Sequence, residues 1–147
     1  MNDRLPPAKE ISQYLQKATE KLRSATLLLE QGFYEDAISR AYYAAFHAII
    51  ALLSYKKIDL SQHKHTYLLN QFRSNFIDEN IFSIDVYTKI LNLKNIRENA
   101  DYSISQEISQ AKTKQLIIDA KTIVETIKEY LNKAQGMLGE SVLNENK

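Results

Sequence analysis

A chain of 147 residues with only three Gly and two Pro has few places to turn sharply. The two Pro are adjacent at positions 6 and 7, and Gly32 is the only Gly before residue 136. Long helices are what such a chain builds, because Gly and Pro are the strongest interrupters of regular structure. Hydrophobic spacing agrees. From about Ala8 to Gln31, apolar residues recur at Ile11, Leu15, Ala18, Leu22, Ala25 and Leu29, in steps of 4, 3, 4, 3 and 4. Those steps draw one continuous stripe on a helix of 3.6 residues per turn. Gly32 follows, able to take the left-handed conformation that closes a helix.

A second helix is expected from about Tyr34 to Tyr55, striped through Ala37, Ala41, Ala44, Ala48 and Leu52. Its opposite side carries Ile38, Tyr42, Phe46 and Ile49, so it is apolar nearly all round. Such a helix is central in its bundle or buried at an oligomer interface. After a polar segment, Lys56 to Lys64, a shorter helix is expected from about His65 to Phe76, ended by the turn signal Asp78-Glu79-Asn80. A fourth, about Ile84 to Asn99, places Ile84, Tyr87, Leu91 and Lys94 on one side, with Ile90 and Leu93 beside them. Ala100 to Gln106 reads as a linker with Ser105 as the next N-cap. The last helix, about Glu107 to Ala134, stripes through Ile108, Ala111, Leu116, Ala120, Ile123, Ile127, Tyr130 and Leu131. The expected fold is all-α: an up-and-down bundle of four long helices plus one short helix. It forms one domain over residues 8–134, with a frayed tail over 135–147.

Composition narrows the function. Lys and Arg number 19 against 18 Asp and Glu, so no strongly basic nucleic-acid surface is written into the chain, although a local patch remains open. Without Cys there is neither a disulfide framework nor a thiolate metal site, which suits a reducing cytoplasm. The N-terminus lacks the apolar core of a signal peptide. The apolar run Ala41 to Leu53 is too short to span a bilayer and is interrupted by His47. A soluble, cytoplasmic protein without membrane contact is the expectation. No Gly-rich phosphate loop, paired-His helix, Ca²⁺ loop or nucleophile elbow is present. His63 and His65, two apart with no carboxylate nearby in sequence, read as a loop residue and a helix-start residue rather than metal ligands. No metal or cofactor is expected.

A few polar groups stand out. Arg40 and His47 lie seven apart, two helical turns, and so share a face of the apolar second helix. They read as buried staples for partners on the fourth helix or the loop after it, with Asp101 the first candidate partner for Arg40. Arg97 and Asp101 are four apart and would be helical neighbours, with Tyr102 directly after. Tyr34, Tyr42, Tyr43 and Phe46 read as core rather than as base-stacking platforms. Lys56, Lys57, Lys64 and Arg73, with His63 and His65, form the only basic concentration and the candidate RNA-facing patch.

Taken together, Gly32-Phe33-Tyr34, Ala37, Arg40-Ala41-Tyr42-Tyr43-Ala44, Phe46-His47-Ala48, the later His63-Lys64, and Arg97 with Ala100-Asp101-Tyr102 resemble the HEPN superfamily, the "higher eukaryotes and prokaryotes nucleotide-binding" domain. The similarity covers about residues 10–134 and is closest to the small stand-alone prokaryotic branch. The resemblance implies a bundle of four to five helices that usually dimerises. It also implies kinship with endoribonuclease toxins and RNA-processing modules, often encoded beside a minimal nucleotidyltransferase antitoxin. In the nuclease members an Arg is followed, after four to six residues, by a His. The Arg would stabilise the phosphorane charge and the His would handle a proton. Here Arg97 takes the Arg position, but Tyr102, Ser103 and Ile104 stand where that His belongs. Arg40 and His47 meet the bare spacing on an earlier helix.

The resemblance therefore leads to a homodimeric binding module that engages RNA or a nucleotide and a nucleotidyltransferase-type partner, without efficient nuclease activity. Ligand contacts are expected from Arg97, Asp101, Tyr102, Arg40, His63 and Lys64. Two alternatives stay open. One is a metal-independent endoribonuclease with a rearranged site that uses Arg97 with His47 or His63; the other is a plain helical scaffold.

Overall fold

A computed structural model describes residues 7–61, 64–102 and 107–136. Four long helices and one short one follow in order: α1 (Pro7–Glu30), α2 (Tyr34–Tyr55), α3 (His65–Phe72), α4 (Ile84–Tyr102) and α5 (Gln110–Gly136). A π-helical turn, Arg73–Ile77, continues α3. No strand occurs among the described residues.

The α1–α2 corner is built as the sequence suggests. Gly32 has φ +83°, and the N–H groups of Gly32 and Phe33 donate to the carbonyls of Leu29 (3.0 Å) and Leu28 (2.9 Å). This is the Schellman pattern, which satisfies carbonyls left over at a helix end. A Cβ on Gly32 would meet nothing within 4 Å, so the backbone angle alone calls for glycine.

Helix α2 is the centre of the bundle, wrapped by α1, α3, α4 and α5. Ala37, Ala41, Ala44, Ala48 and Ala51 are fully buried, and these small side chains let neighbouring helices approach closely. Between them Ile38, Tyr42, Ile49, Leu52 and Leu53 fill the core, each worth about 1.5–3 kcal/mol of burial. Length and composition alone would let α2 cross a membrane, but 72% of that apolar window is covered by the other helices. The chain itself thus buries most of the apolar surface of α2.

Two boundaries differ from the sequence reading, with consequences for chemistry. Helix α4 runs on to Tyr102, through much of the expected linker, which keeps Arg97 and Asp101 in helical register. Its buried face is Val86, Ile90, Leu93 and Ala100, and Ile84 is 60% exposed because it lies off that face. Helix α5 begins at Gln110, where Ser109 Oγ accepts the Lys112 N–H at 3.0 Å. Ser109 is therefore the cap; Ser105 lies outside the described residues. Ala111, in the first turn, is exposed, and Thr113 takes the buried position instead.

Candidate functional site

One strip of α2 escapes full burial. Arg40, Tyr43, His47 and Ile50 follow steps of 3, 4 and 3, and they are exposed or half-buried while their neighbours are sealed. On α4 the buried stripe Val86, Ile90, Leu93 passes through position 97 before Ala100, again in steps of 4, 3, 4 and 3. Arg97 therefore sits on the inward face of α4. Its guanidinium carbon lies 5.2 Å from the Tyr43 ring centre and 5.4 Å from that of Tyr42. One turn on, Asp101 Oδ2 receives both Arg97 Nε (3.2 Å) and Nη2 (3.2 Å). Burial works against the charge, but Tyr43 and Asp101 outweigh it and hold Arg97 firmly cationic. Two rings and a carboxylate thus fix the orientation of one planar cation.

The first residue of α3 completes the group. His65 Nδ1 lies 2.8 Å from the Tyr42 hydroxyl, and its ring stacks on Phe46 with centres 4.1 Å apart. Burial pushes the Tyr42 phenol well above its ordinary range, so it stays protonated. With no exposure to solvent, that O–H needs an acceptor and donates to His65 Nδ1. The His65 proton then resides on Nε2.

His47 has the opposite arrangement. Its Nδ1 is 2.8 Å from the Tyr43 carbonyl, which can only accept, so Nδ1 carries the proton and Nε2 keeps a lone pair. Its ring lies 6.4 Å from those of both Tyr14 and Tyr43. Burial lowers the pKa of both imidazoles. Lys17 and Lys21 lower that of His47 further, and Arg97 and Lys94 that of His65. At neutral pH both histidines are uncharged, one a donor at Nε2 and one an acceptor there, and both rings lie near Tyr43, on which the Arg97 guanidinium rests.

Of the residues singled out from the sequence, the fold brings Arg97, Asp101 and His47 into this region. Tyr102 is the last residue of α4. His63 lies outside the described residues, and Lys64 is exposed immediately before His65. Arg40 is exposed, not a buried staple: it lies on the uncovered strip of α2. Asp101 pairs with Arg97 on its own helix rather than with Arg40. Nor does His47 reach the fourth helix, since its bond is to its own helix and its ring packs on α1.

The expected basic patch also divides. Lys56 lies over Phe76 (5.8 Å), and Arg73 lies over Tyr87 (5.5 Å) with Asp78 at 3.7 Å. Tyr87 precedes Arg97 by ten residues of α4, about 15 Å. Sequence reasoning placed His65 in the basic patch and Tyr42 and Tyr43 in the core, and missed that all three gather at Arg97. The available signal was Arg97 itself, in phase with the apolar stripe of α4. An open cavity of about 490 Å³ lies elsewhere, lined by residues 32–36 with Glu107 and Ile108. It presents carboxylates and no imidazole or guanidinium.

Residues 11–130 match the sequence profile of the HEPN domain. The chain belongs to the HEPN family. Among HEPN relatives, two proteins of Methanocaldococcus jannaschii bear the name "Putative toxin". One is 29% identical over 133 residues, covering 90% of this chain and 89% of the relative. The other is 33% identical over 125 residues, covering 84% and 90%. A "UPF0332 protein" of Archaeoglobus fulgidus is also 33% identical over 125 residues, 84% of this chain and 97% of that one.

Proposed function

We propose that this HEPN chain is the HEPN component of a toxin–antitoxin or defence system, and that its Arg97 face binds RNA or a nucleotide through phosphate. The observation that carries this is the orientation of Arg97: an inward-facing guanidinium held over Tyr42 and Tyr43 and braced by Asp101. A pre-oriented fork suits a phosphate, which it can engage bidentately. The relatives named as toxins support the cellular setting. The HEPN resemblance adds a nucleotidyltransferase-type partner, a second copy of the chain and action in the cytoplasm. Because the chain covers most of α2 and leaves only the strip of Arg40, Tyr43, His47 and Ile50 partly open, a dimer would form largely through other surfaces. Turnover is slow or absent, because Tyr102, Ser103 and Ile104 follow Arg97 where nuclease members carry the proton-transferring His.

A second reading has one observation in its favour, the opposite tautomers of His47 and His65, whose rings both lie near Tyr43. In a metal-independent endoribonuclease, His47 Nε2 would take the 2′-hydroxyl proton and His65 Nε2–H would protonate the leaving oxygen. Arg97 would offset the phosphorane charge. The test compares RNA binding and cleavage by the wild type, Arg97→Ala, His47→Ala and His65→Ala, alongside growth of cells expressing the chain with and without its genetic neighbour. Binding weakened at least about tenfold by Arg97→Ala, with cleavage at background, is the expected result. Robust cleavage lost in Arg97→Ala and in both His variants would replace the binding module with the nuclease. Binding that survives Arg97→Ala would refute the site.

A further inference from the structure

The ring contacts around Arg97 do not stop at α2. Tyr14 of α1 faces His47 at 6.4 Å with planes 24° apart, His47 lies 6.4 Å from Tyr43, and Tyr43 lies 5.2 Å from the Arg97 guanidinium. The run of π surfaces thus goes from the first helix to the fourth with a cation at its far end. Its near end is cationic too. Lys17 and Lys21 stand three and seven residues after Tyr14, on the same flank of α1, just outside the buried stripe of Ile11, Leu15 and Ala18. Both act on His47, disfavouring its protonation.

Among the described residues neither lysine forms an ion pair, whereas Glu10, Glu98 and Asp101 are engaged. Glu10, one turn before Tyr14, accepts from the buried Ser54 hydroxyl. Glu98 pairs with Lys94 at 3.1 Å, and Asp101 pairs with Arg97. Glu20 lies about 100° round α1 from Lys21 and, three residues after Lys17, offsets part of that lysine's charge without forming an ion pair with it among the described residues. In a chain of net charge +1, this is a local concentration of positive charge interleaved with aromatic rings.

We infer that Tyr14, Lys17 and Lys21 form a second nucleotide subsite, so that the ligand is a single-stranded RNA crossing from α1 to α4 rather than a mononucleotide. This rests on the assignment of Arg97 as a phosphate site. The path of three contacts spans at most about 18 Å, room for several nucleotides at the roughly 3.4 Å rise of a stacked strand. A duplex keeps its base faces stacked on one another and so withholds them from Tyr14 and Tyr43.

Fluorescence anisotropy with a labelled oligouridylate of about 12 nucleotides, UMP as competitor, and salt varied between about 50 and 200 mM tests this. Lys17→Gln/Lys21→Gln should make the slope of log affinity against log salt shallower by about 1.4 and lower the preference for oligonucleotide over UMP. Tyr14→Leu should cut oligonucleotide affinity about 5- to 100-fold. The charge-matched Lys114→Gln/Lys121→Gln on α5, which alters exposed lysines, should keep the wild-type slope. The subsite is overturned if the α1 lysine variant keeps the full slope, if the α5 variant loses as much, or if duplex RNA or UMP binds as tightly as the single strand. Oligonucleotide and UMP binding that both survive Arg97→Ala would instead overturn the phosphate site, and with it the path that ends there.

Discussion

Tyr42→Phe removes a single oxygen from the centre of the bundle, and its cost can be worked out in advance. The Phe ring would keep the stack on Phe46 at 5.7 Å and the contact with Arg97 at 5.4 Å, so no packing is lost. What disappears is the 2.8 Å hydrogen bond to His65 Nδ1. A net intramolecular hydrogen bond contributes about 0.5–1.5 kcal/mol. His65 is only half-buried, so water can satisfy Nδ1 in the variant, and the expected loss is about 1 kcal/mol. For a domain of this size that is a fall of about 2–4 °C in Tm. Because either single change also alters its own surroundings, the measurement is a double-mutant cycle with His65→Leu, followed by urea unfolding. A coupling of about 1 kcal/mol is expected, and additivity within about 0.3 kcal/mol would show that the bond contributes nothing. Nitrogen-15 shifts of the imidazole supply a second check. Wild-type His65 should carry its proton on Nε2, and a proton found on Nδ1 would refute the Tyr42 phenol as donor.

Three further outcomes follow from the same geometry. His47 and His65 both titrate below the ordinary 6.5 in the folded chain, so the unfolded state binds protons first on acidification. Their contribution is full above about pH 6.5 and is lost as pH falls below it, until the folded-state values are passed. Urea melts showing stability that rises as pH falls through this window would contradict both assignments. Arg40→Ala should change stability by less than about 0.5 kcal/mol, as an exposed side chain does; a loss of several kcal/mol by thermal melt would restore it as a buried staple. Gly32→Ala should cost about 1–2 kcal/mol through its φ of +83° alone, since a Cβ there meets no neighbour, and an unchanged Tm would remove the left-handed cap from the account.

Local periodicity determined much of this protein. The stripe of Ile11, Leu15, Ala18, Leu22, Ala25 and Leu29 and the stop at Gly32 are set by residues within a few turns of one another, and the helices appear where that spacing places them. Boundaries that depend on weaker signals moved. Helix α4 ran three residues further than expected because Ala100, buried at 6% exposure, continues its inward face. The pairing of Arg97 with Asp101 was likewise readable, being a contact between residues four apart on one helix.

Which polar residues face one another was not a local property. Arg40 and Arg97 both lie on helices with apolar stripes, yet one is exposed and the other is held over two tyrosines. The difference is whether a neighbouring helix covers that face, and no spacing within a helix encodes its neighbour. His65 reads as an unremarkable helix start until the chain returns it to Tyr42, 23 residues away. Helical phase is decided by steps of three and four along the chain, but the meeting of α1, α2, α3 and α4 around Tyr43 is decided by how their buried faces pack. Only the tertiary structure could assemble that site.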